Sequence, residues 1–193
     1  ETALIPPRDP ISTRDRRRSP LRGARGLALM AIALTGAAIA AWSAPGETPH
    51  LAPAKAATFH LRSLGGNPVD LADLLTRGPV VLDFWATWCQ PCAQSLPEMQ
   101  KVAERWSDRG LTVVGVSIDG PRNQSRVRPF AAKLGLTFPI LFDADGKLQR
   151  DYQVTAVPTT VVIAPDGRIA YASEGWWPGE TKKIETVIAT LLP

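Results

Sequence analysis

Both cysteines of this 193-residue chain lie within four positions of each other, directly after a run of β-branched and aromatic residues. The stretch reads VVLDFWATWCQPC and extends from Val80 to Cys92. A continuous apolar run of strand length is typical of a strand that is covered on both faces. The residues that follow carry apolar side chains at helical spacing from Leu96 to Trp106, and Gly110 ends that helix. The cysteine pair therefore marks the junction between a buried strand and a helix.

Strand and helix patterns also alternate through the rest of the chain after residue 58. Residues 59–75 predict a small hairpin that leads into a helical turn, and Asp166-Gly167 is a hairpin turn signal between two further strands. The other predicted elements are a buried strand at 111–118, short helices at 126–135 and 147–154, an extended piece at 138–143 and an amphipathic helix at 178–192. This order predicts an α/β fold in which a central mixed sheet carries helices on both faces.

The N-terminal part of the chain has the pattern of a membrane segment. Residues 1–25 are rich in arginine, and no charged side chain follows Arg25 until Glu47. Residues 26–44 have no polar face at helical spacing and are about long enough to cross roughly 30 Å of hydrocarbon. They predict a transmembrane anchor; a cleaved signal is the alternative, because small-x-small patterns occur at 38–40 and 54–56.

The arginines also predict the orientation of that segment. Positively charged flanks stay in the cytoplasm, so the chain after Ala44 is expected in the periplasm or extracytoplasmic space of a bacterial inner membrane. Residues 45–56 are rich in Pro and Ala and predict a tether, which leaves 57–193 as the folded domain. The formal net charge of +4 arises within the first 26 residues. The neutral body of the chain therefore gives no indication of nucleic-acid binding.

The cysteine pair fits a redox bond better than a metal site. A structural zinc site needs four Cys or His ligands, and the two histidines of the chain, His50 and His60, both lie upstream of the pair. Export would bring the two thiols to an oxidising compartment, where neighbouring thiols form a disulfide. A disulfide that closes so short a loop stabilises a fold only weakly. The sequence therefore predicts a bond that opens and closes, with no metal and no cofactor beyond the disulfide itself.

The position of each sulfur predicts its role. Cys89 begins a helix, where unpaired N–H groups and the helix dipole favour a thiolate and lower the pKa of the thiol. Pro91 suits the first helical turn, and Cys92, one turn further on, is placed to resolve a mixed disulfide. Asp83 lies in the middle of the apolar strand, where a carboxylate is costly unless it is neutral or paired. It is either a strand residue bonded to backbone or a buried acid that accepts the proton of Cys92.

Several motifs together resemble the thioredoxin superfamily, specifically its exported TlpA-like and ResA-like branch. They are FWATWCQPC, a proline five residues beyond Cys92, VPTT and APDGRI, and the resemblance covers about residues 57–193. It implies a thioredoxin fold with a TlpA-like insertion that contains the helix near 126–135. It also implies that Cys89 is the nucleophile and Cys92 the resolving thiol.

The resemblance further implies a substrate-binding surface around the cysteines. Trp85 and Trp88 would flank the site, and Pro158 would be a cis-proline that faces it. The implied substrate-binding residues are Trp88, Gln90, Pro91, Val157 and Pro158, with the Val157 backbone offered to an extended substrate segment.

Two positions depart from the pattern of the family. Thioredoxin has a lysine partner for its buried aspartate on the next strand, and Gly115 occupies that position here. Many TlpA-like proteins carry an acidic residue three positions after the second cysteine, where this chain has Ser95. Both departures bear on the environment of Asp83 and Cys92.

The expected function is reduction of protein disulfides by an exported thiol–disulfide oxidoreductase, with cytochrome c maturation as the client pathway that the resemblance implies. A reductant in that compartment requires a membrane electron donor of the thiol-transfer type. One enzymatic alternative is a disulfide-forming oxidant. Another is a thiol peroxidase, which needs Thr three residues before the reactive cysteine; here that position is Ala86, and Thr87 follows it. A copper chaperone is the non-enzymatic alternative, and it needs a downstream His that this chain lacks.

Overall fold

The computed structural model describes residues 54–192. The predicted membrane segment at 26–44 and most of the predicted tether lie outside these residues. Among the helices of residues 54–192, none combines the length and the apolar character that crossing a membrane requires.

The centre of the described structure is a five-stranded mixed sheet. The strands of residues 54–192 are β1 (His60–Arg62), β2 (Pro68–Asp70), β3 (Val80–Trp85), β4 (Thr112–Ser117), β5 (Ile140–Phe142), β6 (Thr159–Ile163) and β7 (Ile169–Glu174). The sheet has the order β5-β4-β3-β6-β7, with β3, β4 and β5 parallel to one another. β6 is antiparallel to both β3 and β7, while β1 and β2 form a separate hairpin.

Five helices connect or follow these strands. They are α1 (Leu71–Leu75), α2 (Gln90–Trp106), α3 (Gln124–Lys133), α4 (Lys147–Asp151) and α5 (Glu180–Leu191). The long α2 ends in a short 3-10 turn and at Gly110, whose φ of 96° is in the left-handed region. A side chain there would place its Cβ 2.5 Å from the carbonyl oxygen of Arg77, so only glycine fits this close approach.

The two faces of the sheet carry separate cores because strand side chains alternate between faces. All six residues of β3 are buried, as expected for a strand covered on both sides. On one face, Val81 and Trp85 pack with residues of α2, α3 and α5. On the other, Leu82 and Phe84 pack with residues of α1 and α4. The predicted mixed sheet with helices on both faces is confirmed.

This alternation also places the candidate site. Asp83 lies between Val81 and Trp85 in β3 and therefore shares the face that α2 covers. The parallel strands β3 and β4 end at the same edge of the sheet, so the loops that follow Trp85 and Ser117 meet there. Ligand sites in α/β sheets occur preferentially at such carboxyl ends.

Candidate active site

The two cysteines form a disulfide at the N-terminus of α2, with a distance of 5.3 Å between their Cα atoms. Cys89 is the N-cap residue, and its Sγ accepts a hydrogen bond of 3.2 Å from the backbone N–H of Cys92. In the reduced protein the same N–H would stabilise a thiolate on Cys89. Cys89 is 5% exposed and Cys92 is fully buried, so a reacting partner reaches Cys89 first.

A proline loop packs against the Cys89 sulfur. The Val157–Pro158 peptide bond is cis, and the Cys89 Sγ lies 3.5 Å from the carbonyl oxygen of Val157. The oxidised sulfur carries no proton, so this is a van der Waals contact in the disulfide state. The hydroxyl of Thr159 donates to the carbonyl of Ala156 at 2.7 Å, and the N–H of Gly175 donates to the carbonyl of Pro158 at 2.7 Å. These two bonds hold the loop in position opposite the cysteines.

The surface beside Cys89 is apolar and exposed. Trp88 is 60% exposed, and among the large hydrophobic side chains of residues 54–192 it alone is exposed. Gln90 and Pro91 are also exposed. Trp85 differs, because its ring is fully buried in the core and stacks on Phe130 with 5.5 Å between ring centroids. Of the two tryptophans expected to flank the site, only Trp88 is therefore available to a partner protein.

Asp83 is fully buried, and alternation along β3 places it on the face of the sheet to which Cys92 also packs. Its Oδ1 accepts a hydrogen bond of 3.0 Å from the hydroxyl of Thr160, and its Oδ2 has no hydrogen-bond partner in the described structure. Removal from water raises the pKa of Asp83 to about 7, and the hydrogen bond from Thr160 opposes that rise. A carboxyl with such a pKa can both accept and release a proton near neutral pH.

The two departures from the family pattern have distinct structural settings. Gly115 pairs directly with Asp83 between β3 and β4. A Cβ at Gly115 would lie 2.9 Å from the ring of Phe138 and 3.0 Å from the indole nitrogen of Trp85, so these rings fill the space that a longer side chain would need. Ser95 is buried in α2, and its hydroxyl donates to the carbonyl of Cys92 at 3.3 Å. Neither position places a charge beside Asp83.

Asp119 is a site residue that the sequence analysis missed. It lies in the loop that follows β4, one residue beyond Ile118, is fully buried, and accepts hydrogen bonds from the N–H and the hydroxyl of Thr87, at 2.9 and 2.7 Å. The hydroxyl of Ser117 donates a third bond, at 3.0 Å. Because Thr87 is two residues before Cys89, Asp119 fixes the loop that carries the reactive sulfur. The available signal was an aspartate at the carboxyl end of the strand next to β3.

His60 and three arginines at or near α3 are exposed residues outside the site. The Nδ1–H of His60 donates to Asp70 Oδ2, at 3.0 Å on the β1–β2 hairpin. Arg128 donates to the carbonyl of Leu64 at 2.7 Å, and Arg122 and Arg126 are exposed. Within residues 54–192, no group of three or more His, Cys, Asp or Glu side chains has the arrangement of a metal site.

Comparisons with known proteins agree with this arrangement. The model of the AhpC/TSA family matches residues 53–172. Thioredoxin-like protein YneN of Bacillus subtilis is 40% identical over 116 residues, which are 60% of this chain and 66% of that protein. Thiol-disulfide oxidoreductase ResA of Oceanobacillus iheyensis is 38% identical over 107 residues, which are 55% of this chain and 54% of that protein. The chain thus spans between about half and two thirds of the length of these two relatives.

Solved structures share the same fold. A crystal structure of a candidate thiol:disulfide interchange protein, DsbE, from Chlorobium tepidum is 32% identical, with a TM-score of 0.66. The match covers 72% of this chain and 96% of that one. This similarity confirms the thioredoxin-type fold that the sequence motifs implied.

Proposed function

The chain belongs to the AhpC/TSA family, and from that premise we propose that it is an exported thiol–disulfide oxidoreductase acting on protein disulfides through Cys89 and Cys92. The observation that carries the proposal is the placement of the disulfide. One sulfur is accessible at a helix N-terminus, against a cis-proline loop, and the other is buried on the same face as an acid with a pKa of about 7.

The proposed reaction has two exchange steps. In the reduced protein the Cys89 thiolate, stabilised by the N–H of Cys92, attacks one sulfur of a substrate disulfide and forms a mixed disulfide. Cys92 then attacks Cys89 Sγ, the bond to the substrate breaks, and the substrate leaves as a dithiol. The proton of Cys92 passes to Asp83. Two electrons have moved from the protein to the substrate, and the Cys89–Cys92 disulfide is restored.

The surface beside Cys89 supports a protein substrate. Exposed Trp88 offers apolar contact area next to the reacting sulfur, and Gln90 and Pro91 complete that side. On the other side, the backbone at Val157 lies within 3.5 Å of Cys89 Sγ, where an extended segment of the substrate would lie. Tryptophan is enriched among the residues that contribute most of the binding energy between proteins.

We propose that the exchange runs toward reduction of the substrate. The two residues between the cysteines, Gln90 and Pro91, carry no charge that would strongly stabilise the reduced form and make the protein an oxidant. A reductant outside the cytoplasm needs re-reduction by a membrane thiol donor, which fits anchoring through residues 26–44. Cytochrome c maturation is the client pathway we propose for this chemistry.

Peroxide reduction has less support from the site. A peroxidase needs a threonine three residues before its reactive cysteine, and Ala86 occupies that position here. Thr87 lies only two residues before Cys89, and its hydroxyl donates to Asp119. The hydroxyl of Thr87 thus helps to hold the loop before Cys89 in position.

The reduction potential of the disulfide tests the direction. The full chain, in mild detergent, would be equilibrated with glutathione and dithiothreitol buffers, and the thiols would be trapped by alkylation. A potential of about −270 mV or lower supports a reductant, whereas a value near −120 mV would reverse the direction to disulfide formation. A disulfide that exchanges with neither buffer would contradict the proposed function itself.

Trapping tests the partners. In Cys92→Ala the mixed disulfide at Cys89 cannot be resolved, so we expect covalent complexes with substrate proteins and with the donor after expression in a cell with an intact envelope. The matched variant Cys89→Ala retains one thiol, but a buried one, and is expected to trap none. Equal trapping by the two variants would contradict the assignment of Cys89 as nucleophile.

A further inference from the structure

Thr160 gives the buried Asp83 its single hydrogen-bond donor within residues 54–192. It is the second residue of β6 and pairs with Asp83 in the antiparallel register of β3 and β6. The Oγ1–Oδ1 distance is 3.0 Å, and both side chains are buried, so bulk water does not compete for this bond. The partner of Asp83 is therefore a neutral hydroxyl from the strand that follows the cis-proline.

The ionisable groups around Asp83 are few. Among the neighbouring strands, β4 contributes Gly115 and β6 contributes no ionisable side chain. The one ionisable residue on the buried face of α2 is Cys92. β7 and α5 contribute Tyr171 and Glu180, whose hydroxyl and carboxylate are hydrogen-bonded to each other at 2.8 Å. Glu180 Oε2 is, like Asp83 Oδ2, buried without a hydrogen-bond partner in the described structure. Asp83 lies on β3, whose end leads directly to the cysteine loop, and Thr160 is the group that holds its carboxyl.

We propose that Thr160 is a positioning residue for the second exchange step, because its hydroxyl engages Asp83 Oδ1 and leaves Oδ2 as the atom that accepts the Cys92 proton. This inference rests on the proposed thiol–disulfide function. Cys92 attacks Cys89 Sγ, the bond between Cys89 and the substrate sulfur breaks, and the substrate sulfur leaves with the bonding electrons. The proton of Cys92 moves to Asp83 Oδ2, so charge and atoms balance.

The Thr160 hydroxyl also affects the pH range over which Asp83 is able to accept that proton. Burial raises the pKa of Asp83, and the hydrogen bond from Thr160 stabilises the ionised form and works against the rise. Without the hydroxyl, the carboxyl would already hold a proton at neutral pH and could not take one from Cys92. Hydrogen bonds to charged groups are strong enough to move a pKa by about one to two units.

The two exchange steps can be measured separately. The reduced full chain is mixed with a symmetric aromatic disulfide whose released thiolate absorbs visible light. The first thiolate appears when Cys89 attacks, and the second appears when Cys92 resolves the mixed disulfide. Since the chain has two cysteines in all, both phases belong to the site.

Thr160→Val replaces the hydroxyl by a methyl group of nearly the same volume. We expect its first phase to be like that of the wild type and its second phase to be about tenfold slower at pH 7. We also expect the pH midpoint of the second phase to rise by about one to two units. Thr160→Ser, which keeps the hydroxyl, should restore the wild-type profile.

Ser173→Ala is the matched control. Ser173 pairs with Thr160 on β7, is buried, and makes no hydrogen bond in the described structure, so its loss removes a nearby hydroxyl without touching Asp83. Its pH profile should be unchanged. An unshifted second phase in Thr160→Val, or an equal shift in Ser173→Ala, would overturn the proposal.

An infrared titration separates this inference from the proposed function. The band of the protonated carboxyl that disappears in Asp83→Asn should titrate at higher pH in Thr160→Val than in the wild type. If the wild type gives neither kinetic phase, the proposed function fails, and the position of this band still decides whether Thr160 controls Asp83.

Discussion

Two fully buried aspartates belong to neighbouring parallel strands of this protein, Asp83 within β3 and Asp119 just beyond the end of β4, and they differ in their hydrogen bonds. Asp119, in the loop after β4, accepts three hydrogen bonds, two of them from Thr87 and one from Ser117. Asp83, in the middle of β3, accepts one hydrogen bond from Thr160 and keeps one oxygen without a partner. Both carboxyls are 0% exposed. The difference between them therefore lies in their donors, since burial is equal.

That difference separates a structural carboxylate from a reactive one. A buried carboxylate with a donor at each oxygen has its hydrogen-bonding capacity met and fixes its donors in place. A buried carboxylate with a single donor is close to the balance between its two protonation states, which is where proton transfer is most effective. Asp119 thus fixes the loop before Cys89, and in the proposed mechanism Asp83 takes up the proton of Cys92.

The largest expected effect comes from removing the well-bonded aspartate. Asp119→Ala would leave the N–H and hydroxyl of Thr87 and the hydroxyl of Ser117 without their acceptor in the interior. Each such loss costs about 1–3 kcal/mol, so we expect the free energy of unfolding to fall by about 4 kcal/mol or more. Urea denaturation followed by circular dichroism at pH 7 measures it.

Asp119→Asn keeps one carbonyl oxygen as acceptor and should lose clearly less stability than Asp119→Ala. A decrease below about 1 kcal/mol in Asp119→Ala would mean that the loop has other supports, and the contrast with Asp83 would fail.

The next prediction is an increase in the free energy of unfolding, whereas removing Asp119 lowers it. The pKa of Asp83 is about 7 in the folded protein and 3.8 for an unperturbed aspartate, so folding takes up a proton between these pH values. Stability from this group is therefore complete at low pH and is lost as the pH rises through about 7. The neutral Asp83→Asn should be more stable than the wild type at pH 9 by about 4 kcal/mol, and this advantage should disappear near pH 4.

Denaturation of the oxidised proteins at several pH values measures this dependence. Wild type and Asp83→Asn with the same pH profile would show that Asp83 is ionised across the range, as a well-bonded carboxylate would be. The comparison with Asp119 would then lose its basis.

Much of this fold was predictable from the sequence because its signals are local. The apolar run of β3, the helical spacing after Leu96 and the Asp166-Gly167 turn predict elements that the structure confirms. The positions of Cys89 and Cys92 at a strand–helix junction follow from the same patterns. The extent of the apolar run would also have separated buried Trp85 from exposed Trp88, since Trp85 is still inside the strand that is covered on both faces.

The partners of the two aspartates were less accessible to sequence reasoning. Asp119 binds a residue 32 positions away, and Asp83 binds one 77 positions away. Such pairs depend on the register between strands, which is set by turn geometry and by the packing of whole elements. The sequence showed that Asp83 needed a partner, and only the pairing of β3 with β6 identifies Thr160.

The smallest expected loss of stability comes from Thr87→Val, and this variant tests most directly whether Asp83 and Asp119 have different roles. Thr87→Val removes one hydroxyl donor from Asp119 and leaves the N–H of Thr87 and the hydroxyl of Ser117 in place. We expect a loss of about 1 kcal/mol in the free energy of unfolding and none in Thr87→Ser. Because Asp119 does not take part in the exchange, the pH profile of the second kinetic phase should be that of the wild type. A Thr87→Val profile that moves as far as that of Thr160→Val would mean that both aspartates control Cys92, and the division between a structural and a reactive carboxyl would be wrong.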